Sequence, residues 1–279
     1  MPEYRLEELQ KELVGILNGK IERAAREAQL ILMHSLKCDE LWLMMHKDEI
    51  ISNADEIIEK AKRRSKNEPL EYITNSVSFY SQEFFIDYGA LIPRPETELL
   101  IDEVLKRIDD RDAVMTFAEV GVGSGIISIV LAQHLPNARF IAVDISEAAI
   151  KIARENIQRF GLQERIELRH GSLLEPVDEK IDFLVSNPPY IADDAPLESN
   201  LSYEPQNALF GGEIGDEIIK ELLIEFLNRD INWFSCEMGY DQRDKIVNFL
   251  SDKSCPNIDF YKDLSGFDRG FTLLKARDE

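Results

Sequence analysis

The sequence predicts an α/β protein, a doubly wound and mostly parallel sheet preceded by a small helical domain. Three observations lead there. Residues 4 to 66 carry apolar side chains at helical spacing and show no strand alternation. From Glu96 onward, helix and strand patterns alternate. Within that alternation an apolar run, Val114 to Val120, enters a glycine-rich turn and is followed at once by the helical run Ile126 to Leu131.

In the N-terminal part, Leu6, Leu9, Leu13, Ile16 and Leu17 form one stripe, with Gly19 as its stop. Ile21, Ala24, Ala28, Ile31 and Leu32 form a second. Asp39 to Ile51 holds Leu41, Trp42, Met44 and Met45, of which Trp42, Met44 and Met45 are read as core. Ser52 or Asn53 can cap a helix through Ile57, Ile58 and Ala61, whose end carries Lys62, Arg63 and Arg64, where positive charge suits the helix dipole. Asn67-Glu68-Pro69 closes this region, and the aromatic-rich stretch Ser76 to Asp87 reads as a hairpin. Beyond it the expected order is helix 96–108, strand 113–120, strand 139–143, helix 146–160, strands 165–169 and 181–185, helix 216–227, strand 232–236, helix 242–250 and two terminal strands.

Composition sets limits. No segment approaches the roughly 18 to 20 unbroken apolar residues that span a bilayer, so no membrane association is expected. The first residues lack a basic start followed by an apolar run, so no signal peptide is expected. Cys38, Cys236 and Cys255 are far apart and odd in number, which fits a reducing cytoplasm rather than a disulfide framework. His34, His46, His134 and His170 are scattered, so no metal site is expected. The formal net charge is −21; residues 1–85 hold 16 acidic and 12 basic side chains, leaving 37 and 20, or −17, for the remainder. Such a field would repel bare nucleic acid and attract a basic protein partner; the alternative is that it serves solubility alone.

The turn reads Glu119-Val120-Gly121-Val122-Gly123-Ser124-Gly125. Glycines allow close approach of a ligand to the backbone, and the free N–H groups of the following helix suit an anionic group. A dinucleotide fingerprint would place glycine at the sixth position, where Ile126 stands, and no lysine follows as in a phosphate-binding P-loop. Glu119 with glycine at 121, 123 and 125 instead resembles the first motif of class I methyltransferases. Asp144 ends the next strand, about 20 residues on, where a carboxylate can accept from both hydroxyls of a ribose.

The apolar run Ile181 to Ser186 ends in Asn187-Pro188-Pro189-Tyr190, at the edge of the sheet where ligands bind. Two prolines stiffen the backbone and remove two N–H donors. The Asn187 side-chain oxygen and the Pro188 carbonyl can then accept from one NH2 group, with Tyr190 as a face for a flat substrate. This suits methylation of an amide or amine nitrogen. Fixed acceptors orient a poor nucleophile and stabilise the positive charge that develops on it, without a His or Lys base.

With these motifs in place, the chain resembles the protein-glutamine methyltransferases that modify peptide chain release factors, the HemK or PrmC family. Glu68 to Ile73, Ile92 to Glu98, Glu204-Pro205 with Ala208 to Gly212, Glu237-Met238-Gly239 with Gln242, and Asp263-Leu264 with Gly266, Asp268 and Arg269 carry the likeness nearly end to end. The resemblance implies a class I S-adenosylmethionine methyltransferase fold, Rossmann-like with a seven-stranded, mostly parallel sheet. It further implies a helical substrate-docking domain at 1–75, a β-hairpin linker at 76–90 and an S-adenosylmethionine-binding catalytic domain at 91–279. The acceptor would be the glutamine of a release factor's Gly-Gly-Gln loop.

Cofactor contacts are then expected from Glu119, Val120, Gly121, Val122, Gly123, Gly125, Asp144, Ile145, Ser172, Leu173 and Asn187. Asn187, Pro188, Pro189 and Tyr190 are expected to hold the reacting amide, and Arg94 and Glu96 to line its approach. Two positions depart from the family pattern. Ser172-Leu173 stands where an acidic residue and a large apolar one flank the adenine, and Asn75 stands where glycine is usual. The chain is expected to act as a monomer. Alternatives are a ribosomal-protein glutamine methyltransferase, a DNA or RNA amino-methyltransferase, and a translation-associated binding protein of the same fold without catalysis. An NAD-dependent dehydrogenase is disfavoured by the glycine spacing.

Overall fold

The computed structural model describes residues 4–253 and 257–275, in two compact units. The first comprises residues 4–76 together with 198–203. Its elements are β1 (Tyr4–Arg5), α1 (Leu6–Leu17), α2 (Ala24–Leu36), α3 (Glu40–Met45), β2 (Ile50–Ile51), α4 (Ala54–Arg64) and α5 (Leu70–Thr74). Leu6, Leu9, Leu13 and Leu17 of α1 are wholly buried against Ala28, Ile31 and Leu32 of α2 and Ile57, Ile58 and Ala61 of α4. Helical periodicity therefore located this core correctly. The short antiparallel pair of β1 with β2 has no signal in the sequence.

Met44 and Met45, read above as core, are exposed, and Leu43 is the buried residue of α3. A helix of six residues makes under two turns and can turn only a narrow stripe inward. Asp39 caps α3 by accepting from the Trp42 amide at 2.7 Å. The basic end of α4 makes specific pairs as well as meeting the helix dipole: Arg63 with Glu68, and Arg64 with Glu27 at 2.9 Å. Asn75 takes a left-handed conformation, φ 53°, as the cap of α5. Asparagine is among the non-glycine residues that tolerate this best, so it can stand where the resemblance leads one to expect glycine.

The second unit holds residues 77–197, 204–253 and 257–275. Its elements are β3 (Ser76–Phe79), β4 (Gln82–Phe85), α6 (Thr97–Lys106), β5 (Thr116–Val120), α7 (Ile126–His134), β6 (Arg139–Asp144), α8 (Glu147–Arg159), β7 (Ile166–His170), β8 (Phe183–Ser186), β9 (Ile191–Ala192), β10 (Phe210–Gly212), α9 (Glu217–Asn228), β11 (Trp233–Glu237), α10 (Arg243–Leu250), β12 (Asn257–Lys262) and β13 (Asp268–Leu274). Seven strands form one sheet in the order β12-β13-β11-β8-β5-β6-β7, parallel except at β13 and β12. The predicted doubly wound, seven-stranded sheet is thus borne out. The chain starts at β5, builds outward through β6 and β7, and returns to β8 on the other side. The topological switch point lies between β5 and β8.

Two layers cover the sheet. On one face Val120, Val143, Leu184, Phe234 and Phe271 pack with Leu222, Leu223 and Phe226 of α9 and Ile246 of α10. On the opposite face Phe140, Phe117, Phe183 and Trp233 stack across four strands, with ring centroids 4.8, 5.3 and 6.1 Å apart. Each ring pairs with its cross-strand partner, so the aromatic ladder holds β6, β5, β8 and β11 in register. The β3–β4 hairpin is tied to this unit. The buried Asn156 of α8 accepts from the Phe85 amide and donates to the carbonyls of Phe85 and Ser124, each at 2.8 Å. Cys38 and Cys236 are free thiols, and Cys255 lies outside the described residues.

Candidate active site

A cavity of about 340 Å³ opens at the C-terminal ends of β5, β6, β7 and β8, at the switch point. Val120, Gly121, Val122 and Gly123 line it from the turn after β5, with Asp144 and Ile145 from β6. Ser172 and Leu173 follow from the β7 turn, and Asn187, Pro188 and Pro189 from β8. Strands of one parallel sheet end at the same edge, so residues up to about seventy positions apart in sequence meet there. Pro93, Thr97, Phe210 and Ile218 are among the other residues that line it. Sequence spacing offered no way to find these four.

Local geometry shapes the glycine turn. Gly121, Gly123 and Gly125 all take positive φ, at 77°, 53° and 84°, a region open to glycine at little cost. Asp144 braces the turn, since one carboxylate oxygen accepts from the Gly123 amide at 2.9 Å and the other from the Ser146 amide at 2.8 Å. Burial raises its pKa and these amide bonds oppose the rise. The β5 and β8 ends are joined by the Ser186 hydroxyl, which donates to the Val120 carbonyl at 2.7 Å.

The Asn-Pro-Pro-Tyr segment is gripped from behind. The Gln242 amide donates to the carbonyls of Tyr190 at 3.0 Å and Gly215 at 2.9 Å, while its oxygen accepts from the Gly239 amide. Gly211 lies so close that an added Cβ would meet the Pro189 carbonyl oxygen at 2.4 Å. Pairing of β9 with β10 brings that glycine against the prolines. A second support comes from Glu237, the last residue of β11, which is 1% exposed. Strand alternation puts Glu237 on the face covered by α6, next to the start of that helix. Thr97 donates to Glu237 Oε2 at 2.8 Å, Tyr190 donates to Oε1 at 3.2 Å, and the Asn187 amide donates to Thr97 Oγ1 at 3.1 Å. Burial pushes the Glu237 carboxyl up to about 7, against the lowering effect of these two hydroxyl donors.

Five residues expected at the site lie outside the cavity wall. Glu119 points into the interior, where its Oε2 accepts from the Ser128 amide at 3.0 Å and from the Ser128 hydroxyl, pinning the first turn of α7. Burial raises its pKa to about 8. Gly125 packs against Ala153 of α8. Tyr190 packs with the core and directs its hydroxyl to Glu237, so it presents no free ring face to the cavity. Arg94 is engaged by the buried Glu204, which also accepts from the Ile92 amide at 3.0 Å. Glu96 stands at the start of α6, facing Glu237 and Arg269 electrostatically. An arginine held by a buried carboxylate shapes the loop before α6 and has little freedom to reach a ligand.

Comparison with known proteins agrees with this architecture. Residues 95–203 match the family described as Methyltransferase small domain, and residues 8–74 match the PrmC N-terminal domain. A release factor glutamine methyltransferase from Koribacter versatilis is 36% identical over 252 residues, covering 87% of this chain and 88% of that protein. One from Geobacter sulfurreducens is 34% identical, covering 89% of each. Among solved structures, the catalytic domain of hMettl16 in complex with MAT2A 3'UTR hairpin 6 aligns with a TM-score of 0.60 at 16% identity, over 83% of this chain and 86% of that one, a likeness of fold. By identity and coverage together, the chain belongs to the release factor glutamine methyltransferase family.

Proposed function

We propose that this protein transfers a methyl group from S-adenosylmethionine to the side-chain amide nitrogen of the glutamine in the Gly-Gly-Gln motif of a peptide chain release factor. The observation that carries the reading is that the cavity wall joins a glycine turn and a strand-end carboxylate to the rigid Asn187-Pro188-Pro189 acceptor segment. The donor set fits the cofactor. Main-chain groups of Gly121 to Gly123 suit an amino-acid end, and each Asp144 oxygen accepts one backbone N–H and retains capacity for a ribose hydroxyl. Ile145 and Leu173 offer apolar faces to an adenine, with Ser172 as a polar neighbour. When bound, S-adenosylmethionine supplies an electrophilic methyl group and leaves as S-adenosylhomocysteine.

The chain's own part is orientation and electrostatics. Asn187 Oδ1 and the Pro188 carbonyl accept the two N–H bonds of the substrate amide, and Pro189 packs beside it. These dipoles favour the positive charge that develops on nitrogen before its proton passes to solvent. Tyr190 acts from behind the segment through Glu237, and Arg94 and Glu96 shape the loop on the substrate side. The helical unit supplies the docking surface for the release factor, and the acidic catalytic unit favours a basic protein over bare nucleic acid.

The test is methyl transfer from labelled S-adenosylmethionine to a purified release factor, beside a copy whose Gly-Gly-Gln glutamine is replaced. Label on the first and none on the second supports both reaction and acceptor. Label on neither, with cofactor bound, refutes the release factor as substrate and turns the assay to ribosomal proteins.

A further inference from the structure

We propose that Thr97 and Glu237 are positioning residues, forming a one-way hydrogen-bond relay that decides which end of the Asn187 amide faces the substrate. The proposal rests on the reading of the cavity as an amide methyltransferase site. An ionised carboxylate can only accept, a hydroxyl carries one proton, and an amide offers NH2 on one branch and oxygen on the other. Glu237 is buried with Thr97 on one oxygen and Tyr190 on the other. The single Thr97 proton is therefore spent on Glu237. What Thr97 Oγ1 has left is a lone pair, and Asn187 meets it with its NH2 branch at 3.1 Å. The oxygen branch of Asn187 is thereby left for the cavity that the residue lines.

Reversing the relay shows what it guards against. If Thr97 donated to Asn187 Oδ1, the Asn187 NH2 would face the substrate NH2. Donor would meet donor, and the nitrogen that gains positive charge would face the positive end of a dipole. An asparagine alone does not set this polarity, because its two branches have nearly the same shape. A carboxylate two hydrogen bonds away does. The Thr97 and Tyr190 hydroxyls both donate to it and favour its negative charge against the effect of burial. This gives Tyr190 a part in the reaction while its ring stays in the core. Among the described residues, Glu96, Arg269, Tyr261 and Cys236 are further titratable groups that interact with Glu237, and Arg269 is itself engaged by Asp263 at 2.7 Å.

The test uses the full chain with two substitutions at one position. Thr97→Val keeps the shape and removes the relay, and Thr97→Ser keeps the hydroxyl. Val should lower kcat by roughly 10- to 100-fold while the KM for release factor and the cofactor Kd stay within about threefold, and Ser should recover most of kcat. Wild-type turnover in the Val variant, or a Ser variant as slow as Val, would overturn the proposal. A second measurement does not depend on the substrate. In the wild type, the Asn187 side-chain NH2 protons should give nuclear Overhauser contacts to the Thr97 side chain. In Glu237→Gln, whose amide can offer either an oxygen or an N–H to Thr97, the Asn187 side chain should show two sets of signals. Absence of the contacts in the wild type, or a single unchanged set in Glu237→Gln, would refute the relay even if no release factor were ever methylated.

Discussion

Replacing Glu119 by glutamine should change how stability depends on pH and leave cofactor affinity nearly untouched. Glu119 is wholly buried at the end of β5, and among the described residues its Oε1 has no hydrogen-bond partner. Burial lifts its pKa from the ordinary 4.5 to about 8. Between those two values the folded protein keeps a proton that the unfolded chain has released. The group's contribution is therefore fully present below the unfolded pKa and is lost as pH rises through about 8. The slope for one proton is about 1.4 kcal/mol per pH unit, which for a domain of this size corresponds to a fall in Tm of roughly 3–5 °C per unit. Glutamine is neutral throughout, and its carbonyl can still accept from Ser128. Melting curves at a series of pH values, with the variant beside the wild type, isolate this proton, because Glu237 titrates in both proteins and cancels in the difference. Parallel curves would refute the placement of Glu119 as a protonated interior anchor. A large loss of cofactor affinity would refute its placement away from the cavity wall.

Three further outcomes follow from the site. Asn187→Ala should cut kcat by about 100-fold or more, near 3 kcal/mol of transition-state stabilisation, with cofactor Kd within about threefold by calorimetry; near-normal turnover would remove Asn187 from its role. Asp144→Ala removes the acceptor for the Gly123 and Ser146 amides and the proposed ribose contact, so cofactor affinity should fall roughly 10- to 100-fold, or about 1.4–2.8 kcal/mol, and an unchanged Kd would count against the assignment. The relay requires ionised Glu237, whose burial puts its pKa at about 7, so kcat should rise with pH through that value and be lost as pH falls through it; a flat pH–rate profile across about 7 would oppose the relay.

Much of this molecule can be read without coordinates. Leu6, Leu9, Leu13 and Leu17 declare a buried helix face, and the alternation after Glu96 declares a doubly wound sheet, because periodicity follows from local backbone geometry. The glycines after β5 and the prolines after β8 are legible for the same reason, since each restricts its own φ and ψ. Local order in the chain also put Asp144 and Asn187 at strand ends, and a parallel sheet gathers such ends at one edge. The tertiary structure decided where individual side chains point. Glu119 sits in the glycine motif, yet it faces inward to Ser128. Tyr190 follows the prolines, yet it turns to Glu237. Arg94 is held by Glu204, a residue 110 positions away. Thr97 and Glu237 are 140 positions apart, and they meet because β11 lies beside β8 and α6 covers that face of the sheet. A local pattern assigns a residue to a face of its own element. Which residue waits on the facing element depends on strand order and helix packing, and these are settled only when the whole sheet assembles.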